Sequence, residues 1–225
     1  PGLDGLNSAD KIINFAENHD GINRFRVRGV SEARNFLANA LTLTMPGIPC
    51  LYYGTEVALS DDHATVHEDA ETGRFTYLPA KLADPFNEAR QNTNFQRLAS
   101  LIELRNTLPA LHSSSFRSLW IDRDASSDDD GIYAFIRGAK TEDPIIVVCN
   151  ASPRSAVTAI PGQAMPLVND QGQPLVKEGQ SLEAISMTQL QDEEAAGSVA
   201  IEWDNSIPHA RIPMKAESVA LFRIR

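Results

Sequence analysis

The apolar positions of this chain change their period partway along. Residues 12–16, Ile-Ile-Asn-Phe-Ala, are apolar at every position but Asn14. Such a run predicts a short strand in a parallel sheet covered on both faces. A polar stretch follows, with Arg24, Arg26 and Arg28. Ser31 then suits a helix N-cap, with Glu32 in the first turn. Ala33, Phe36, Leu37, Ala40, Leu41 and Thr44 recur at helical spacing, which predicts a helix with one buried face, and Pro46-Gly47 ends it. Residues 48–53 form a second apolar run closed by Gly54. The order strand, loop, helix, strand is that of a βαβ unit.

Residues 55–93 are polar and aperiodic, and connections of that length are usually functional or disordered. Helical spacing returns over 94–108. Phe95, Leu98, Ala99 and Ile102 form one stripe, and Leu101, Leu104 and Leu108 a second. A helix so broadly apolar predicts cover on two sides. Beyond Pro109 the texture changes. Short runs at 116–121, 132–137, 145–149, 156–160, 182–186, 199–203 and 218–223 alternate with turn-like breaks such as 128–131, Pro161-Gly162 and 169–172. That texture predicts an antiparallel β-sandwich. The expected division is therefore 1–112, α/β, and 113–225, all-β.

Charge narrows the partners. Twenty Lys and Arg against thirty Asp and Glu leave a formal net charge of -10. Non-specific nucleic-acid binding rests on phosphate neutralisation, so no nucleic-acid partner is expected. An anionic membrane surface is disfavoured on the same ground. No apolar run approaches the roughly 20 residues that span a bilayer. Cys50 and Cys149 both sit in apolar runs and read as buried free thiols, neither a disulfide framework nor a zinc site. The opening Pro1-Gly2-Leu3-Asp4-Gly5 carries no initiator Met and no signal peptide, which suggests a processed protein or a piece of a longer one.

Few residues point to chemistry by themselves. His19-Asp20 lies just past the first predicted strand, where βα folds build their sites. Neighbours in an extended strand point to opposite faces, so both reach one pocket only if the chain leaves strand geometry, and Gly21 permits that turn. His63 and His67 share a helix face if that segment is helical, but no HExxH pattern surrounds them, and an acidic solvated loop is the simpler account. Trp120 and Trp203 suit a sandwich core better than a sugar-stacking platform. No serine lies in a GxSxG elbow, and no glycine-rich phosphate loop is present, so no cofactor is expected.

Two stretches together resemble the α-amylase family of glycoside hydrolases. Phe15, Asn18, His19 and Asp20 match its F-x-x-N-H-D motif. Pro46 through Glu56 match P-G-I-P-x-x-Y-Y-G-x-E. Leu104, Arg105, Pro109, Ala110 and Leu111 match the L-R-x-x-x-P-A-L tail of the family's last barrel helix. The β-rich remainder resembles the sandwich that follows the barrel. The resemblance implies the C-terminal portion of a (β/α)8 barrel, its last two βα units, followed by the sandwich. It implies a parent enzyme acting on α-glucans or maltooligosaccharides with retention.

In that family Asp20 corresponds to the catalytic carboxylate that grips the sugar at the scissile bond and stabilises the oxocarbenium-like transition state. His19 corresponds to a substrate-binding residue, Asn18 to a support behind the pair, and Arg24 to a residue lining the cleft. The nucleophile and general acid come from earlier barrel strands, so the chain alone is expected to be inactive. The missing N-terminal part of the barrel is then its natural partner, and exposed strand edges invite self-association. Calcium, often bound elsewhere in this family, has no clear ligand set here. A transglycosylase or isomerase of the trehalose-forming, sucrose-acting or branching type fits the same residues. A catalytically dead transporter subunit is a further alternative, against which the retained His19-Asp20 pair speaks, and a non-catalytic carbohydrate-binding module is another.

Overall fold

The computed structural model describes residues 11–18, 25–26, 30–58, 67–69, 74–76, 90–121, 131–139, 141, 143–160, 163–185 and 197–225, with the backbone alone at 67–69 and 74–76. Strand β1 (Ile13–Asn14) and strand β2 (Ile48–Pro49) pair in parallel, Ile13 opposite Ile48. The Ile48 amide donates to the Ile12 carbonyl and the Cys50 amide to the Asn14 carbonyl, both at 2.8 Å. Helix α1 (Glu32–Thr44) joins the two strands, so the βαβ order holds. Ser31 caps α1 by accepting the Arg34 amide.

The burial expected of the first strand does not hold. Ile13 is 58% exposed, Ile48 54% and Phe15 49%. The sheet is two strands wide, and no described element covers its free face. The parallel-sheet pattern was legible, but the described residues leave Ile13, Phe15 and Ile48 exposed. Cys50, just past β2, is likewise exposed, contrary to expectation, whereas Cys149 is buried as expected. Between these parts and the second helix, β3 (His67–Asp69) and β4 (Arg74–Thr76) form a small antiparallel hairpin within the polar connection.

Helix α2 (Thr93–Thr107) starts at Asn92, whose side chain accepts the Asn94 and Phe95 amides. Pro109 opens the short α3 (Pro109–His112). Leu98, Leu101 and Leu108 are buried, whereas Ala99 and Ile102 face outward. The expected second covered side is therefore open. There a groove of about 490 Å³ runs between β2 and α2, lined by Ile48, Pro49, Leu51, Ile102, Arg105 and His112 among others.

The β-rich part is one curled nine-stranded sheet rather than two separate ones. Its members in chain order are β5 (Phe116–Ile121), β6 (Ile132–Arg137), β7 (Ile145–Asn150), β9 (Ala159–Ile160), β10 (Gln163–Pro166), β11 (Ser181–Ala184), β12 (Ser198–Asp204), β13 (Ile207–Ala210) and β15 (Ser218–Ile224). They lie in the spatial order β5-β6-β7-β15-β11-β12-β13-β10-β9. Strands β8 (Ala156–Val157) and β14 (Pro213–Met214) pair separately. The sheet curls until β10 meets β5.

Alternation along β6, β7 and β15 divides the core in two. Phe135, Ile145, Val147, Cys149, Val219 and Leu221 face the helices and pack with Phe36, Leu101 and Leu111. Ile132, Ala134, Ile136, Ile146, Val148, Ala220 and Phe222 face the inside of the curl with Met165, Leu182 and Ile212. Strands buried on both faces explain the near-continuous apolar runs of these segments. Trp120 is buried in the inner core and Trp203 packs against it, as expected.

Two arginines tie the layers together. Arg137 is fully buried on the helix-facing side of β6. Its guanidinium donates to the carbonyls of Thr44, Leu111 and Ser113, and its Nε to that of Ser115 at 3.4 Å. Arg105 donates to the carbonyls of Leu43 and Met45 and, at 2.8 Å, Gly47. These acceptors lie at the C-terminal end of α1 and beyond, where carbonyls lack intrahelical partners and the helix dipole is negative. No basic residue lies in the last turn of α1 itself, so the charge comes from two other elements.

Candidate functional site

Parallel pairing brings the two motif stretches to one end of the sheet. Phe15-Ala16-Glu17-Asn18 leaves β1 at the end where Cys50-Leu51-Tyr52-Tyr53-Gly54 leaves β2. The Asn14 side-chain amide donates to the Pro46 carbonyl at 2.5 Å, which fixes the approach to β2. Of the residues expected at a site, Asn18 is half-buried at this end. His19, Asp20 and Arg24 lie outside the described residues.

The segments flanking His19-Asp20 are anchored. Glu17 is buried, and its Oε2 accepts the Phe25 amide at 2.6 Å. Arg26 donates through Nη1 to the Ala58 carbonyl at 2.6 Å and pairs with Glu32 at 3.1 Å. Arg26 is thus held to the first turn of α1 and to the end of the β2 loop.

The β2 loop is held just as firmly. Gly54, at φ 84, supplies the left-handed backbone that turns Tyr53 into a single 3-10 turn, Thr55–Val57. Asn39 donates to the Thr55 hydroxyl at 3.2 Å. Asn94 donates to the carbonyls of Thr55 and Glu56 at 2.8 and 3.1 Å. The rings of Tyr52 and Tyr53 sit 4.5 Å apart at 58°, and Tyr53 is exposed. This end therefore combines a pair of tyrosine rings, a braced loop and the residues that flank His19-Asp20.

Sequence reasoning missed Glu17, Arg26, Asn39 and Asn94 as organisers. The available signal was a polar residue on an otherwise buried helix face: Asn39 and Asn94 are both almost fully buried. For Glu17 it was a carboxylate directly after an apolar strand. The metal reading of His63 and His67 gains nothing. His67 lies in extended β3, where helical spacing does not apply, and His63 lies outside the described residues. Among the described residues no group of three or more His, Cys, Asp or Glu side chains could hold a metal ion. No helix of the described residues is long and apolar enough to cross a membrane.

An α/β lead-in against a curled antiparallel sheet is a fold with known counterparts. An α-amylase from Anoxybacillus superposes with a TM-score of 0.61 over 96% of this chain and 38% of its own, at 22% identity. In sequence, a cyclomaltodextrin glucanotransferase of Niallia circulans is 27% identical over 161 residues, 68% of this chain and 18% of that protein. An α-amylase of the same organism is 28% identical over 123 residues, 52% of this chain and 19% of its own length. No family model matches the chain. Its homologues are cyclomaltodextrin glucanotransferases and α-amylases, and an α-amylase shares its fold, as its motifs led us to expect. It spans about a fifth of the length of the curated relatives it matches.

Proposed function

We propose that this chain is the C-terminal part of a retaining, α-glucan-acting enzyme of the α-amylase type. Residues 1–112 form the last two βα units of an eight-stranded barrel and residues 113–225 the sandwich that follows. The observation that carries this reading is the β1–α1–β2 unit, with both motif stretches leaving parallel strands at the same end. Active sites of such barrels are built at that end. The exposed Ile13 and Ile48 and the open groove beside α2 are the surfaces that the rest of a barrel covers.

In this reading Asp20 grips hydroxyls of the sugar at the scissile bond, and its hydrogen bonds strengthen as the ring flattens toward the oxocarbenium-like transition state. His19 and Arg24 bind the same substrate, and Asn18 supports them from behind. The nucleophile and general acid, about 5–5.5 Å apart in retaining enzymes, come from the portion of the enzyme outside this chain. The 225-residue polypeptide is then inactive alone, and it self-associates or binds that missing portion through its uncovered strands.

Transfer to a sugar acceptor instead of water is the second reading. It is favoured by the prevalence of cyclomaltodextrin glucanotransferases among the relatives. Product analysis of the longer enzyme with a maltooligosaccharide tests both. Newly formed α-anomers support the retaining class, and β-anomers contradict it. Products longer than the substrate indicate transfer, and shorter ones alone indicate hydrolysis. Turnover by the 225-residue chain alone contradicts the division of the site.

A further inference from the structure

The groove of about 490 Å³ between β2 and α2 joins two chemistries. Leu43, Ile48, Leu51 and Ile102 give it aliphatic walls, and Arg105 and His112 are its basic members. Ile48 is 54% exposed and Ile102 37%, so the walls are open to water. Among the described residues that line the groove none is acidic. That is notable in a chain whose formal net charge is -10.

Arg105 has donors to spare. A guanidinium carries N–H groups on Nε, Nη1 and Nη2 in one fixed plane. Nη1 donates to the carbonyls of Leu43 and, at 3.5 Å, Met45, and Nη2 to that of Gly47 at 2.8 Å. Nε–H and the second Nη2–H have no partner among the described residues, and no carboxylate there pairs with the guanidinium. Nε and Nη2 bound one edge of the fork, and a carboxylate binds such an edge through both oxygens. The charge is also uncompensated. Arg105 and Arg137 donate to neighbouring carbonyls at the end of α1, Leu43 and Thr44. A helix C-terminus supplies roughly half a negative charge, against two guanidiniums. Burial lowers the pKa of Arg105, and the positive charge of Arg105 helps to lower that of Arg137. A buried cation in this position gains from an anion.

Aliphatic walls around an unpaired cation match one kind of occupant, a carboxylate flanked by apolar side chains. We propose that the groove receives a segment from the portion of the longer enzyme outside this chain, and that an Asp or Glu of that segment binds Arg105. The inference rests on the proposed function, which makes that portion the cover of this face. In the α-amylase from Anoxybacillus the fold shared with this chain takes up 38% of a longer polypeptide. A second copy of this chain fits less well, because it brings a further -10 against the first.

The test has two arms. In the 225-residue chain at neutral pH, hexanoate stands in for the flanked carboxylate and hexanol for the same apolar group without charge. The amides of Gly47 and Ile48 report occupancy in an NMR titration. Hexanoate is expected to saturate both at a concentration about tenfold or more below that of hexanol, and Arg105→Gln should bring the two together. Equal binding of the two by the wild-type chain overturns the proposal, and that comparison needs no variant. The second arm asks what covers the groove. Ile102→Cys is made in a Cys50→Ala background and labelled with a maleimide. Labelling is expected to be fast in the 225-residue chain and about a hundredfold slower in the longer enzyme. Equally fast labelling in the longer enzyme overturns the proposed function together with this inference. Protection there, with hexanoate and hexanol bound alike, leaves the proposed function standing and sinks the carboxylate alone. Labelling of the 225-residue chain that slows as its concentration rises puts a second copy in the groove and overturns the occupant named here.

Discussion

Replacing Arg137 by Met tests how the helical layer is fastened to the sheet. The side chain is fully buried and its four carbonyl partners are Thr44, Leu111, Ser113 and Ser115. Burial, with Arg105 as a second positive neighbour, pulls its pKa from 12.5 down to about 10. That shift corresponds to about 3 kcal/mol of cost for keeping the ion inside, which the Met variant recovers. Against it stand three or four carbonyls left without a donor, at about 1–3 kcal/mol each, or about 6 kcal/mol together. Met fills most of the volume, so the cavity term is small. The balance is a loss of about 3 kcal/mol, a large share of the stability of an ordinary domain. Arg137→Lys keeps the charge but reaches at most part of the acceptor set, so it is expected to lose a similar amount. Urea unfolding followed by circular dichroism measures both, with the slope of the transition checked for constancy. A loss below about 1 kcal/mol in the Met variant would show that the buried charge costs as much as its bonds return, and the fastening role would be withdrawn.

Other outcomes follow from single sites. Gly138, at φ +64, would place a Cβ 2.7 Å from both Cα and Cβ of Ala110, so Gly138→Ala is expected to lose about 3 kcal/mol from strain and displacement of α3; a neutral urea midpoint would refute that close approach. Cys149 is buried and its thiol pKa is pushed from 9.0 up to about 12 by loss of water. The unfolded thiol therefore ionises first, and stability should fall as pH rises from about 9 toward 12, by at most about 1.4 kcal/mol per unit. Comparison with Cys149→Ala isolates that slope, and an identical pH profile for the two proteins would contradict it. A bulky thiol reagent should label the native chain at exposed Cys50 and spare Cys149; two labels per native chain would show that the helix-facing core opens.

Much of the β-rich part was legible because its strands are short, near-continuous apolar runs between turn signals. Residues 132–137, 145–149 and 218–223 lie close to β6, β7 and β15, whose alternation serves two cores at once. In the β-rich part three strands escaped notice, β10, β13 and β14, and each contains a proline. Proline argues against a strand because it lacks a donor. Pro208 sits within β13 all the same, because its carbonyl alone is used, accepting the Leu167 amide at 2.8 Å. The missed openness of β1 and of the outer side of α2 has another cause. Apolar pattern tells which face seeks cover but not whether the cover lies within the same polypeptide. Ile13 and Ile102 carry the pattern of buried residues and are exposed. For the proposed site, the two motif stretches leave the parallel pair at one end. The anchors Glu17 and Arg26 were invisible because each acts across 8 to 32 residues in sequence.

The central claim is that Asp20 stabilises the transition state of glycosyl transfer in a longer α-amylase-like enzyme. Steady-state kinetics of that enzyme and its Asp20→Asn variant on one maltooligosaccharide test it most directly. A contact made strongest in the transition state lowers kcat when removed and leaves KM comparatively unaffected. The account predicts a fall in kcat of about a hundredfold or more, equivalent to at least about 2.7 kcal/mol, with KM within a few-fold of wild type. An unchanged kcat, or a loss confined to KM, would contradict it.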